Sequence, residues 1–131
     1  MNHRHAILVI DDQAAIRDII ADLLMEFELA DRVEVARSVK EAEQALINHH
    51  WDAVITDMSL GDGKILDVIE SLQQQDYALP PILLISGFLY GQSLQRAKAL
   101  GIKHILTKPF IPTDLLDSLQ QIFASDENIH D

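Results

Sequence analysis

The sequence contains no cysteine. This absence excludes disulfide bonds, thiol redox chemistry and cysteine-ligated zinc, and it fits a reducing compartment. Basic residues are also scarce, since 10 Lys and Arg stand against 21 Asp and Glu and give a formal net charge of −11. Such a charge opposes direct binding to nucleic acid or anionic lipid, so basic partners or divalent cations are the favoured ligands. The same acidity is also common because it keeps proteins soluble.

Long hydrophobic runs are missing as well. No apolar run in the sequence approaches the roughly 18 to 20 residues that span a membrane. Residues 1–5 lead directly into the apolar run 6–10, without the long apolar segment or small-residue cleavage site of a signal peptide. We therefore expect a cytoplasmic protein with no membrane partner. At 131 residues and 48% hydrophobic content, we expect one domain with a packed core.

Short apolar runs alternate with amphipathic helical patterns along the chain. The runs at 6–10 and 82–85 contain only apolar residues, which is typical of short strands buried on both faces. Apolar residues spaced three and one apart from Ile16 to Phe27 predict a helix whose stripe packs into the core. The other predicted strands cover residues 32–36, 51–57 and 103–107, and the other predicted helices cover 38 to about 50, 65–72, about 92–100 and 115–123.

Two predicted helix ends carry recognisable capping residues. Ser38 and Glu41 form the pattern of a capping box at the start of the second helix. Gly101 stands where a glycine commonly follows the last turn of a helix. The strand before the second helix mixes charge with alternating valines, so we expect it at the edge of the sheet.

Five strands alternating with five helices predict an α/β fold: a single doubly wound (βα)5 domain of the flavodoxin-like type, with a parallel sheet in the order 2-1-3-4-5. In such sheets ligands bind beyond the carboxyl ends of the strands, where the strand order reverses. The polar residues that end the apolar runs are Asp11 and Asp12, Asp57, Ser86 and Lys108. Since the first and third strands are neighbours in this order, we expect the three aspartates to converge.

Three carboxylates in one crevice repel one another and raise a pKa unless a cation neutralises them. A hard divalent ion held by few carboxylates and several waters fits Mg²⁺ better than Ca²⁺. A carboxylate can act as a nucleophile and form an aspartyl phosphate, so we interpret Asp57 as a candidate phosphoryl acceptor. Lys108 and the Ser86 hydroxyl are then candidates to meet the negative charge on the phosphoryl oxygens.

Each of these residues also has a purely structural interpretation. Asp57 alone is a common strand-end turn residue, and Asp11 and Asp12 are suited to capping the first helix. Ser86 and Lys108 are ordinary residues of strand-end turns and exposed loops. Only their joint placement favours a site. A metal site at the histidines of 3–5 and 49–50 is disfavoured, because the adjacent pair lacks the i, i+4 spacing of a helical metal site.

From residue 7 to about residue 123, the sequence resembles the receiver domain of bacterial two-component response regulators. The resemblance rests on the ordered set formed by the Asp11-Asp12 pair, Asp57, Ser86 and the sequence Lys108-Pro109-Phe110. It implies a domain that accepts a phosphoryl group on Asp57 from a histidine kinase or phosphotransfer protein and then changes conformation. It also implies that Ser86 and Lys108 contact the phosphate and that the Lys108–Pro109 bond is cis.

The resemblance implies a Mg²⁺ (or Mn²⁺) site as well. Asp12 would bind the ion directly, Asp11 through water, and the backbone carbonyl of Ser59 would join Asp57 in completing the protein's ligands. Such a domain catalyses its own phosphorylation and dephosphorylation and is not a turnover enzyme. We expect residues 1–124 to form the receiver domain and residues 125–131 to form an acidic, flexible tail.

Three positions depart from the family pattern. Ile105 stands where receivers usually carry the aromatic residue that couples the hydroxyl's movement to the output face. Phe88 or Tyr90, in the loop after Ser86, is a candidate replacement, and the alternative is coupling carried by the loop itself. We therefore assign the switch to Ser86, Ile105 and Phe88. The other departures, Gly61 where proline is frequent and 64–65 where Asp-Gly is common, change the stiffness of the loop after Asp57.

By the same resemblance, a downstream protein or an attached effector domain is expected at the face formed by the fourth helix, last strand and last helix. The domain is expected to be a monomer or a phosphorylation-dependent dimer. Two other functions fit the fold less well. A small-molecule phosphohydrolase would carry a D-x-D pattern, whereas the first two aspartates here are adjacent. A flavodoxin-like binding module would carry a Ser/Thr/Gly-rich loop after the first strand, where residues 11–13 stand instead.

Overall fold

A computed structural model describes residues 5–87 and 91–129, with side chains described up to residue 124. The five strands of the main sheet are β1 (Ala6–Ile10), β2 (Arg32–Ala36), β3 (Ala53–Asp57), β4 (Ile82–Ser86) and β5 (His104–Thr107). The helices are α1 (Ala14–Glu26), α2 (Val39–Asn48), α3 (Ile65–Gln74), α4 (Gln92–Ala99) and α5 (Pro112–Ile129). A separate hairpin pairs Ser59–Leu60 with Gly63–Lys64.

The main sheet is parallel throughout, in the order β2-β1-β3-β4-β5. This order confirms the predicted doubly wound α/β fold. β1 and β3 are neighbours, with Ile10 beside Thr56 at their carboxyl ends. β3 and β4 are neighbours in turn, with Asp57 beside Ile85. The last residues of the central strands therefore lie along one edge of the sheet.

Two cores form because the apolar central strands are covered on both faces. One face packs α2, α3 and α4 against residues that include Leu8, Val54 and Leu84. The opposite face packs α1 and α5 against residues that include Ile7 and Ile55. Side chains alternate between the faces of a strand, so successive residues of one apolar run supply both cores. Because helices pack on both faces of the sheet, the ends of its central strands, which carry the polar residues, are held in place.

The predicted caps are present. The Ser38 hydroxyl accepts a hydrogen bond from the Glu41 N–H (3.1 Å), although the Glu41 carboxylate reaches the Arg37 N–H (3.0 Å) rather than the cap residue itself. Gly101 has a φ of +90° after the end of α4, a conformation that favours glycine. β2 lies at the edge of the sheet, as its mixed sequence predicted.

Some predicted boundaries and faces are corrected. β3 begins at Ala53 rather than at residue 51, and β5 begins at His104 rather than at residue 103. α5 continues to Ile129, so residues 125–129 of the predicted tail are helical. Ile19 and Phe27 were assigned to the core but are 52% and 54% exposed, because only a narrower stripe of α1, centred on Ile20 and Leu24, faces the sheet. Among the described residues, no helix is both long and apolar enough to cross a lipid bilayer.

Candidate functional site

Three aspartates meet at the carboxyl edge of the sheet. Asp11 and Asp12 directly follow β1, and Asp57 is the last residue of the neighbouring β3. One carboxylate oxygen from each lies within 4.8 Å of the other two. Asp11 is buried, Asp12 is exposed, and the Asp57 side chain is 13% exposed. The predicted convergence of the three carboxylates is therefore present in the structure.

Asp11 holds an unsatisfied oxygen in this cluster. Its Oδ1 accepts a hydrogen bond from the Gln13 N–H (2.8 Å), whereas its buried Oδ2 has no donor among the described residues. Burial raises the pKa of the Asp11 carboxyl and the Asp57 and Asp12 charges add to the rise, while the Gln13 N–H and the Lys108 charge oppose it. A buried carboxylate oxygen without a donor is costly unless a cation satisfies it.

Asp57 is held by groups from two directions. Its Oδ2 accepts a hydrogen bond from Lys108 Nζ (2.8 Å), and its Oδ1 lies 3.4 Å from the Ser59 N–H that donates to it. The Lys108 side chain is one-third exposed. Its backbone N–H donates to the Ser86 carbonyl (2.8 Å), and the Lys108–Pro109 bond is cis, as the family resemblance predicted. One carboxylate thus faces a fixed ammonium group on one side and the other two aspartates on another.

Ser86 ends β4 at the same edge and is 2% exposed. Its hydroxyl lies 3.9 Å from the sulfur of Met58, the residue that follows Asp57. The Met58 N–H donates to the Ile85 carbonyl (2.9 Å), which ties the chain after Asp57 to the end of β4. The structure therefore brings Ser86 into contact with the residue beside the central aspartate.

Of the predicted switch residues, the structure describes Ile105 but not Phe88. Ile105 is half-buried in β5, pairs with Leu84 of β4 and packs against the core that α2, α3 and α4 cover. Phe88 and Tyr90 lie outside the described residues, so their assignment as switch residues stays a prediction. The role of Ile105 also stays a prediction, because its position alone assigns no movement.

The hairpin after Asp57 was not predicted from the sequence, where this segment was interpreted as a loop. Ser59 pairs with Lys64 and Leu60 with Gly63, so Gly61 and Asp62 form the two-residue turn. Gly-Asp between two short strands is a recognised hairpin signal, and it was the feature that could have predicted this element. The Asp62 side chain bonds to α2, a contact across 23 residues that no local pattern shows.

The donor set fits a small divalent cation. Three carboxylates, one of them with a buried oxygen lacking a donor, supply the hard oxygen ligands that Mg²⁺ or Mn²⁺ prefers. Exposure on the Asp12 side leaves room for the several waters that Mg²⁺ retains. The participation of the Ser59 carbonyl stays a prediction.

Comparison with known proteins assigns the family. PilR, a response regulator protein of Pseudomonas aeruginosa, is 34% identical over 106 residues, which are 81% of this chain and 23% of PilR. The chemotaxis protein CheY1 of Helicobacter pylori is 24% identical over 122 residues, which are 92% of this chain and 98% of CheY1. The solved structure of the chemotaxis response regulator CheY4 of Vibrio cholerae has a TM-score of 0.80 at 26% identity and covers 92% of this chain and 99% of that one. The family model of the response regulator receiver domain matches residues 7–120, and the chain therefore belongs to that family of two-component signalling domains.

Proposed function

We propose that this receiver domain accepts a phosphoryl group on Asp57 from a phosphohistidine donor, with Mg²⁺ or Mn²⁺ bound beside it. The observation that carries the proposal is the 2.8 Å contact between Lys108 Nζ and Asp57 Oδ2, next to the Asp11 and Asp12 carboxylates. A nucleophilic carboxylate needs nearby positive charge, because phosphoryl transfer brings anionic oxygens toward an anion. Lys108 supplies one such charge.

In this mechanism an oxygen of the Asp57 carboxylate forms the new bond to phosphorus. The bond from phosphorus to the donor's imidazole nitrogen breaks, and its electron pair remains on that nitrogen. Lys108 then pairs with a phosphoryl oxygen, and the Ser86 hydroxyl, at the end of β4 beside Met58, turns toward another. Asp11, Asp12, Asp57 and the Ser59 carbonyl would hold the cation, which supplies positive charge against the phosphoryl oxygens.

Output is proposed to pass through the face formed by α4, β5 and α5. Ser86 joins this face to the site, because its carbonyl accepts the Lys108 N–H just beyond β5. Arg96 of α4 binds Asp67 (2.8 Å) and Glu70 (2.6 Å) of α3, so a shift of α4 must break or rearrange these ion pairs. We propose that Ile105, which packs against the same core as α4, and Phe88 take part in this shift.

The partners follow from the same proposal. A histidine kinase or a phosphotransfer protein donates the phosphoryl group, and a downstream protein or an attached effector domain responds to the switched face. The domain works as a monomer or as a phosphorylation-dependent dimer in the cytoplasm. It modifies itself on Asp57 and is not a turnover enzyme.

The test is phosphorylation by acetyl phosphate with Mg²⁺, followed by intact mass. The wild type is expected to gain the mass of one phosphoryl group, and Asp57→Asn is expected to gain none. Asp52→Asn is the matched control, because Asp52 lies at the opposite end of the sheet, beside the start of β1. Phosphorylation of Asp57→Asn to the wild-type extent would refute the assignment of the acceptor.

A further inference from the structure

The hairpin of residues 59–64 begins two residues after Asp57 and is fixed to the rest of the domain at two places. Leu60 is 7% exposed and belongs to the core under α2 and α3. The Asp62 carboxylate accepts hydrogen bonds from the backbone N–H groups of Val39 (2.8 Å) and Lys40 (3.3 Å), in the first turn of α2. A turn residue of the hairpin thus caps a helix that precedes it by more than 20 residues.

The Asp62 contact adds to a cap that α2 already has. The Ser38 hydroxyl accepts the Glu41 N–H, which leaves the N–H groups of Val39 and Lys40 for Asp62. These first-turn N–H groups have no partner within their own helix, and a negative charge beside them is favourable. The pKa of Asp62 is lowered because its carboxylate accepts these backbone hydrogen bonds, the one from Val39 above all.

The other side of the hairpin reaches the acidic cluster. The Ser59 N–H points to Asp57 Oδ1 at 3.4 Å. A Cβ built on Gly61 would lie 3.6 Å from Asp12 Oδ2, so the turn runs alongside that carboxylate. Residues 59–61 therefore run beside two carboxylates of the cluster, and Asp62 follows immediately in the chain.

We propose that Asp62 is a positioning residue that holds the hairpin backbone against Asp57 and Asp12 and so sets the affinity of the cluster for a divalent cation. The inference rests on the proposed function of the cluster. Without the anchor, the backbone of residues 59–61 must become ordered when the cation binds, and that ordering opposes binding. Groups that orient metal ligands without touching the metal commonly change affinity by about 10- to 100-fold when removed.

The test compares Asp62→Ala with Ser38→Ala. Both variants remove an acceptor from the first turn of α2, but only Asp62→Ala removes one of the two attachments of the hairpin. Mg²⁺ affinity is measured by calorimetry and by amide shifts of residues 57–63, and the free energy of unfolding is measured in urea without Mg²⁺. Asp62→Ala is expected to weaken Mg²⁺ binding by about tenfold. Ser38→Ala is expected to lose stability with a Mg²⁺ affinity within about twofold of the wild type.

A third variant, Asp62→Asn, keeps one side-chain oxygen that can accept the Val39 N–H. Its Mg²⁺ affinity is expected to lie between those of the wild type and Asp62→Ala. Wild-type Mg²⁺ affinity in Asp62→Ala would overturn the inference, and so would an equal loss in Ser38→Ala. These titrations use Mg²⁺ alone. A wild type that binds Mg²⁺ but gains no phosphoryl mass would refute the proposed function and leave the Asp62 result valid.

Discussion

Asp52 and Asp11 lie at opposite ends of the same two strands, and their surroundings differ. Asp52 precedes β3, where its Oδ2 accepts the Ala6 N–H (2.7 Å) while its own N–H donates to the Ala6 carbonyl (2.8 Å). Asp11 follows β1, where one carboxylate oxygen is buried without a donor beside two further carboxylates. Both are aspartates at strand ends. At the amino end the carboxylate joins the strands together, whereas at the carboxyl end it stays partly unsatisfied.

The difference shows where this fold keeps interactions that lower its stability. Every central strand is buried and paired, so the cores can tolerate repulsion at one edge. Sites that bind a ligand commonly keep groups that would be more stable if replaced, and the ligand supplies the missing interaction. The carboxyl edge of this sheet has that character, and the amino edge does not.

The largest expected effect concerns the two lysines that flank β5. Lys108 follows the strand and binds Asp57, whereas Lys103 precedes it at the amino edge and is exposed. Lys108→Ala is expected to slow phosphorylation by acetyl phosphate about 100-fold, because it removes a fixed positive charge from the transferring group. Lys103→Ala is expected to leave the rate unchanged. The measurement is the time course of phosphorylated mass at fixed Mg²⁺, and equal rates for the two variants would contradict the contrast.

A smaller effect is expected on stability, with opposite signs at the two edges. Without Mg²⁺, Asp11→Asn is expected to raise the free energy of unfolding by about 1 kcal/mol, because one of three repelling charges is removed while Oδ1 still accepts the Gln13 N–H. Asp52→Ala is expected to lower it by about 1 kcal/mol, because the Ala6 N–H loses its side-chain acceptor.

Urea unfolding with and without Mg²⁺ checks the predicted changes in the free energy of unfolding of both variants. The cation is expected to stabilise the wild type and Asp52→Ala by the same increment, since binding to the folded state alone adds stability by mass action. The cation is expected to stabilise Asp11→Asn by a smaller increment, because this variant lacks one of the three carboxylates. Destabilisation by Asp11→Asn in the absence of Mg²⁺ would show that Asp11 is a structural residue like Asp52.

The sequence predicted most of the carboxyl edge because its information is local. Continuous apolar runs identify β1 and β4, and the polar residue that ends each run must lie at the same edge in a parallel sheet. The Asp62 contact was not predictable in this way. It joins a turn to a helix 22 and 23 residues earlier in the chain, and the two meet through tertiary packing that includes Leu60.

The exposed face of α1 shows a second limit of prediction from the sequence. Spacing identifies which residues share a side of a helix, but the width of the buried stripe depends on the neighbouring elements. Ile19 and Ile20 are adjacent members of the same predicted stripe, yet Ile20 is buried and Ile19 is half-exposed. The helix rests on one face of the sheet beside α5, and this contact covers only part of its apolar surface.

The smallest expected effect lies at the amino end of β5, where burial and then the Lys103 charge lower the pKa of His104. The folded domain therefore prefers the neutral imidazole. Above the ordinary histidine pKa of about 6.5 this preference has no effect on stability. As the pH falls below that value, the unfolded chain takes up the proton first, so the domain loses stability until His104 is also protonated in the folded state. The loss is expected to be small, because the side chain is only partly buried.

His104→Gln isolates this loss, because glutamine keeps a polar side chain without a titrating group. Urea unfolding at about pH 8 and about pH 5.5 is expected to show a smaller drop in the free energy of unfolding for His104→Gln than for the wild type. All other titrating groups contribute equally to both proteins, so their difference reports His104 alone. An identical drop in the two proteins would mean that His104 is as accessible to protons in the folded domain as in the unfolded chain. Protonation of His104 would then not be linked to folding at these pH values, and the contrast between this side chain and the acidic cluster would be sharper.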